Sequence, residues 1–278
     1  MAKHNLSSDD IDFVNSLLIE AGNMAVDGQA FRLEVNRIGN TQSNLTKTPT
    51  IDEKISLFLV NKLKRRFANQ MIVSEEALPQ EFSLTDDYAW LIDPIDGTHH
   101  YLANDNQYSI MIGLLLAGEP IYGWVYNPAS STLYHGGPGQ GAWCLGQSRG
   151  KAQLIDPLGA LNSKSVRVII GRRDKKNNPW LESLPNIIIL QAGSIGYKLT
   201  RILEDEADIL LHLAGRLKIW DTAGPVALAL ANGLEVGSKD IDTLLYPKDS
   251  FTHQVAMVIG KKGSLEWFRK QLIPAWIQ

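Results

Sequence analysis

Strand-like punctuation between Gln70 and Trp143 constrains this chain more than any other feature. Four short apolar runs, Met71 to Val73, Ala89 to Ile92, Tyr108 to Leu116 and Ile121 to Tyr126, are bounded by Gly, Pro, Asn and Asp, as strands are. Gly118-Glu119-Pro120 predicts a hairpin turn. Thr132-Leu133-Tyr134 predicts a further strand of the same antiparallel meander, ahead of the turn-rich stretch 136–141.

Helical periodicity flanks this region. From Ser8 to about Val26, the residues Ile11, Val14, Leu17, Leu18, Ala21 and Ala25 recur at helical spacing behind a Ser cap and two acidic residues. Residues 28–50 are polar and read as a loop ending in a proline-stiffened bend, and a second helix is expected from Asp52 to Phe67. Beyond residue 164 the pattern predicts strands at 166–170, 187–190 and 209–213, a Lys/Arg/Asn-rich loop at 172–178, and helices at 197–206 and 222–232. A chain of 278 residues with this mixture can bury a large α/β core, as one domain or as two packed lobes. The polar stretch 151–164 is the candidate link between lobes at 1–150 and 151–278.

A net charge of -3 and a pI near 6.1 provide no basic field for polymeric nucleic acid and no polybasic membrane contact. Cys144 is the only cysteine, which excludes an intrachain disulfide and a thiolate metal cluster. The N-terminal residues lack the apolar core of a signal peptide, and no stretch reaches the length of a bilayer span, so a cytoplasmic location is expected.

The chemistry concentrates in carboxylates at predicted strand ends. Asp93 and Asp96 stand where Trp90-Leu91-Ile92 runs into a tight Asp-Gly turn followed by Thr98. Two carboxylates with backbone carbonyls between them suit a hard cation that prefers oxygen ligands, such as Mg²⁺. The turn leaves the Gly97 and Thr98 amides available to a phosphate oxygen. Taken alone, Asp-Gly also simply makes a turn. Glu75 and Glu76 follow the apolar run at 71–73, where neighbouring side chains diverge, so one of them is expected to reach a shared metal. Asp221 precedes an Ala-rich helix, as an N-cap or as a third acidic ligand.

In order along the chain, Ser74-Glu75-Glu76, then Trp90-Leu91-Ile92-Asp93-Pro94-Ile95-Asp96-Gly97-Thr98, then Ile219-Trp220-Asp221-Thr222-Ala223 resemble the signature of the inositol monophosphatase superfamily. The Tyr108-Ser109-Ile110 strand, Gly123 to Pro128 and Gly141-Ala142-Trp143 also look like the family's. Haloacid-dehalogenase-type phosphatases share an Asp-Gly-Thr but need a nucleophilic Asp two residues before the second Asp. Pro94 occupies that position, which disfavours an aspartyl-phosphate mechanism.

The resemblance implies a layered αβαβα sandwich, a homodimer, Li⁺ sensitivity and a site holding two or three Mg²⁺ ions. It implies Glu75, Asp93 and the Ile95 carbonyl as ligands of one ion, and Asp93, Asp96 and Asp221 as ligands of a second, with Glu76 acting through water. Thr98 and Asp52 would orient the attacking water, although Thr48-Pro49-Thr50-Ile51-Asp52 departs from the family's Thr-x-x-Asp spacing.

For the substrate, a small phosphate ester, Leu213-Ala214-Gly215-Arg216-Leu217-Lys218 lacks the acid by which inositol monophosphatases bind hydroxyls. Arg216 and Lys218 could meet a second phosphate instead. Gly193-Ser194-Ile195-Gly196-Tyr197-Lys198 is similar to the Gly-Ser…Lys segment of 3′(2′),5′-bisphosphate nucleotidases. These features favour that branch over an inositol-1-monophosphatase, a fructose-1,6-bisphosphatase or an NADP phosphatase. A non-catalytic protein binding metal and phosphate would share the motif, but the complete carboxylate set favours an enzyme. His99 and His100 depart from the family's usual residues, and their sequence context leaves their role open.

Overall fold

A computed structural model describes residues 6–37, 50–84, 87–146 and 151–276. Two sheets organise the chain. The first has seven strands in sequential order: β1 (Met71–Ser74), β2 (Tyr88–Asp96), β3 (Ser109–Leu116), β4 (Glu119–Asn127), β5 (Thr132–Gly137), β6 (Gly141–Leu145) and β7 (Gln153–Leu154). All neighbours are antiparallel except β1 and β2, which are parallel. The second sheet has the order β11-β12-β10-β8-β9. Its strands are β8 (Val166–Ile170), β9 (Ile187–Gln191), β10 (Ile209–His212), β11 (Glu235–Gly237) and β12 (Met257–Gly260). There β8 runs parallel to both β9 and β10, while β12 is antiparallel to β10 and β11.

Helices α1 (Ser8–Arg37) and α2 (Ile51–Arg66) cover one face of the first sheet, α3 (Thr98–Ala103) follows β2, and α4 (Arg172–Asn177) follows β8. Between the sheets lie α5 (Ile195–Leu203) and α6 (Ile219–Ala231). The outer face of the second sheet is covered by α7 (Ser264–Trp267), a π turn at Phe268–Leu272 and α8 (Ile273–Trp276). The result is an αβαβα stack. Strand alternation supplies its cores: Trp90, Ile92, Ile110, Ile112 and Trp124 pack towards α1 and α2, and the interleaved Met111 and Val125 pack towards α5 and α6.

One close approach fixes the central layer. Gly113 of β3 pairs with Gly123 of β4, and α6 lies directly on both. A Cβ at Gly123 would stand 2.1 Å from the Gly224 carbonyl oxygen, and one at Gly113 would stand 2.4 Å from Ala223 Cβ. Glycine at these sites lets the helix sit against backbone, an approach that side chains would forbid.

Several boundaries differ from expectation. The first helix continues through Arg37, so residues 28–37 are helical and not loop; residues 38–49, with Thr48 and Pro49, lie outside the described residues. Residues 172–177 form α4, a single short turn whose charged sequence has no apolar period to announce it. The β3–β4 turn falls at Ala117 and Gly118, both at positive φ, with Glu119 and Pro120 already in the strand. Among the described residues no helix is long and apolar enough to cross a membrane.

Candidate active site

The register of β2 explains how its two acids are aimed. Asp93 faces Met111 and Asp96 faces Ser109, three steps on one strand against two on the other. The extra residue makes a bulge, and Pro94, which has no N–H for the ladder, falls within it. Gly97 then turns the chain at φ 88°, where a Cβ would be strained and would meet Gln107 O at 3.1 Å. Helix α3 begins at once with Thr98.

Parallel pairing brings Glu75 to this point. Ser74 lies opposite Ile92, and Glu75 N–H continues the ladder to Ile92 O at 3.1 Å, so Glu75 leaves the sheet beside Asp93. Asp221 arrives on α6. It is the third residue of that helix, not its cap, and its carboxylate accepts a 2.7 Å hydrogen bond from Lys218 N–H, satisfying an otherwise orphaned first-turn donor. Asp52 is likewise no cap. Thr50 caps α2 with Glu53 as its reciprocal partner, leaving Asp52 to face Thr98, whose Oγ1 is 3.5 Å from Asp52 Oδ2 and donates to Ile95 O at 3.2 Å.

These acids share one electrostatic environment. Burial raises Asp52 to about 6, helped by Glu76, and raises Glu75 to about 7, helped by Glu76, Asp96 and Asp52. Burial raises Asp221 to about 8, with Asp96 and Glu75 adding to it and Lys218 opposing. Asp93 is 1 % exposed and is pushed well above the carboxylate range by burial and then by Asp96, Asp221, Glu75 and Asp52. Its Oδ1 is buried without a hydrogen-bond partner. Among the described residues no three His, Cys, Asp or Glu side chains close into a ready-made metal cage.

Asp96 is held from the other side. Ser194 Oγ donates to its Oδ2 at 2.5 Å and Gly196 N–H donates to the same oxygen at 3.0 Å; both bonds counter the upward pull of burial. Ser194 also caps α5 and bonds Ser109 at 2.6 Å. Gly193 donates its N–H to Gln107 Oε1 and leaves room for the His100 ring, which a Cβ there would meet at 2.2 Å. His100 is fixed by Asp105 at 2.6 Å, while His99 is exposed. Of the cations expected to meet substrate, Arg216 and Lys218 are exposed and Lys198 is 2 % exposed. Ser109 and Gln107 carry no chemical signal in the sequence, because their roles come from α5 docking against β3.

A family model described as the inositol monophosphatase family matches residues 10–256. The chain belongs to that family. It is therefore a phosphatase that hydrolyses phosphate monoesters. Among relatives of this phosphatase, Inositol monophosphatase 3 of Solanum lycopersicum is 36% identical over 191 residues, covering 66% of this chain and 69% of that one. Inositol monophosphatase 1 of Bos taurus is 25% identical over 225 residues, 77% and 78% of the two chains. The 3′(2′),5′-bisphosphate nucleotidase CysQ of Salmonella typhimurium is 29% identical over 164 residues, 58% and 64%. In structure, inositol monophosphatase II of Staphylococcus aureus superposes with a TM-score of 0.76 at 20% identity, covering 96% and 95%. An IMPase/NADP phosphatase complexed with Mg²⁺ and phosphate superposes at 0.66 and 19% identity, covering 80% of each chain. At such identity these likenesses show the fold.

Proposed function

We propose that this phosphatase is Mg²⁺-dependent and hydrolyses a small phosphorylated metabolite by direct attack of water. The observation that carries this reading is Asp93: a buried carboxylate with an unpartnered oxygen, pushed up by burial and by Asp96, Asp221 and Glu75. An all-oxygen set of separated acids suits Mg²⁺, which retains several waters and takes few direct protein ligands. Glu75, Asp93, the Ile95 carbonyl, Asp96 and Asp221 would hold it, with Glu76 at one remove. Bound there, Mg²⁺ supplies a water of lowered pKa and a Lewis acid for the leaving oxygen.

The chain's own groups do the rest. Asp52, raised to about 6, is ionised at neutral pH and still basic enough to draw the proton from a water held between it and Thr98 Oγ1. The amides of Gly97 and Thr98, at the start of α3, have no helical acceptor of their own and would bind a phosphate oxygen.

Adenosine 3′,5′-bisphosphate is the preferred substrate in this reading, because the segment just before Asp221 carries exposed Arg216 and Lys218 and has no acid for hydroxyls; the Lys218 ammonium rests on Thr252 Oγ1 at 2.9 Å. Inositol 1-phosphate is the second reading, favoured by the relatives named inositol monophosphatase and by the burial of Lys198, which removes one cation from the second-phosphate set. Steady-state kinetics with both compounds, fructose 1,6-bisphosphate and NADP⁺ should rank the bisphosphate nucleotide first, and a clear preference for inositol 1-phosphate would reverse the order. Asp93→Asn should abolish Mg²⁺-dependent phosphate release while leaving the fold intact by circular dichroism. Retained turnover would remove the carboxylate cluster from the mechanism.

A further inference from the structure

The loop between α3 and β3 is tied to the segment that holds Asp96. Gln107 O accepts Ser194 N–H at 3.3 Å, and its side-chain Oε1 accepts Gly193 N–H at 3.1 Å, so one residue holds two consecutive amides just ahead of α5. The same Gln107 O would stand 3.1 Å from a Cβ on Gly97, the residue after Asp96. Gln107 is fixed in turn by Asp105, whose Oδ1 accepts Gln107 N–H at 3.1 Å and whose Oδ2 meets His100 Nδ1 at 2.6 Å. A carboxylate only accepts, so Nδ1 carries the proton. Asn104 at φ 56° and Asn106 at φ 65° flank Asp105 in the left-handed region, a conformation that non-glycine residues keep only when their surroundings enforce it. The far edge of the His100 ring rests on Gly193, where a Cβ would stand 2.2 Å from Cδ2 and 2.5 Å from Nε2. His100 therefore meets Gly193 directly and, through Asp105 and Gln107, from the other side.

We propose that His100 and Asp105 are positioning residues for hydrolysis: they lock the Gln107 loop onto Gly193 and Ser194, and so fix the hydroxyl that orients Asp96. Ser194 Oγ has one proton and three neighbours: Asp96 Oδ2 at 2.5 Å, Ser109 Oγ at 2.6 Å and Tyr197 N–H at 3.0 Å. With Tyr197 N–H and Ser109 donating into its two lone pairs, the proton goes to Asp96. A small displacement of Ser194 would let that proton turn to Ser109, leaving Asp96 with Gly196 N–H alone. The seat of Ser194 must therefore be narrow, and Gln107 makes it so. The His100 and Asp105 side chains are 19% and 39% exposed, and a pair so exposed adds little to overall stability. Its effect is local, on the orientation of one buried hydroxyl.

This role rests on the reading of Asp96 as part of the working site. His100→Ala and Asp105→Ala should each lower kcat about tenfold, the scale of a residue that orients another, with p-nitrophenyl phosphate and inositol 1-phosphate alike. KM should stay within about twofold, because neither side chain touches substrate. His100→Asn should recover most of the rate, since its amide nitrogen can stand where Nδ1 stands and donate to Asp105. Tm of all three variants should remain within about 4 °C of wild type. In EDTA, amide exchange at residues 193–196 should quicken about tenfold in both alanine variants while that of β3 is unchanged. Unchanged kcat or unchanged exchange in both alanine variants overturns the proposal. So does a rise in KM confined to one substrate, or no recovery in His100→Asn, either of which would make the imidazole a substrate contact. Full turnover in Asp96→Asn would instead remove the site reading beneath it, and the role of the loop with it.

Discussion

Substituting Gly123 by Ala tests how the central helix governs the site. The added methyl would begin 2.1 Å from Gly224 O, where ordinary contact starts near 3.4 Å, so α6 or β4 must move by 1.3 Å. Both partners are backbone, and no side chain can swing aside. Overpacking of this kind costs about 1–3 kcal/mol, which in a chain of this size lowers Tm by about 2–12 °C. Because Asp221 rides at the start of α6 and Gly224 is one turn along, the same displacement should shift the acid by a comparable distance and reduce kcat/KM about 100-fold, beyond any loss from unfolding. Thermal melts and Mg²⁺-dependent phosphate release, measured well below Tm, separate the two effects. Gly159→Ala is the control, since nothing lies within 4 Å of its Cβ position. A Gly123→Ala protein with Tm within about 1 °C of wild type and full kcat/KM would show that α6 does not set the position of Asp221.

In EDTA, stability should fall as pH rises from about 7 to 8. Acids whose folded values lie above their unfolded ones, here Glu75 at about 7 and Asp221 at about 8, hold more protons when folded, so ionisation favours the unfolded chain. The buried His135, His212 and His253, each held near 4, act in the opposite sense only below about 6.5, outside this window. Tm measured against pH should flatten when Mg²⁺ is added, and a Tm that rises between these pH values in EDTA contradicts the account. At the far end of the second sheet, Asp208→Asn should cost about 3 kcal/mol, because Asp208 accepts from Arg167 and from Lys261 Nζ. Denaturant titration should show that loss with kcat unchanged, since this network sits at the start of β8 and β10 and the site lies beyond their carboxyl ends.

The acids of the proposed metal site were legible because each is a short-range event. Asp93 and Asp96 end an apolar strand, Glu75 ends another, and Asp221 opens a helix, so their order in sequence survives in space. Ser194 was legible as part of a Gly-Ser…Lys segment but not in its partner, Asp96. A Gly-Ser…Lys run facing a ligand and one facing Asp96 read alike, and only the docking of α5 against β3 and β10 decides between them. The glycines at 113 and 123 were hidden for a similar reason. Within a strand a glycine suggests a bulge or a weak point, and its value as a seat for Gly224 exists only once a helix 100 residues later has arrived. Helix α4 was missed because Arg172 to Asn177 lack any apolar face, and its buried Asp174 looked like one more charge in a basic loop.

The acids of the site enter the chain far apart, with Asp52, Glu75, Asp93 and Asp96 in the first half and Asp221 on the helix that fills the space between the sheets. During synthesis the first sheet can assemble while the face that α6 will cover is still open. A ribosome-bound chain halted before residue 219 would carry most of the proposed metal ligands and one bare apolar surface. Hydrolytic activity is then a late event in biogenesis, and its appearance reports that the last internal layer has closed.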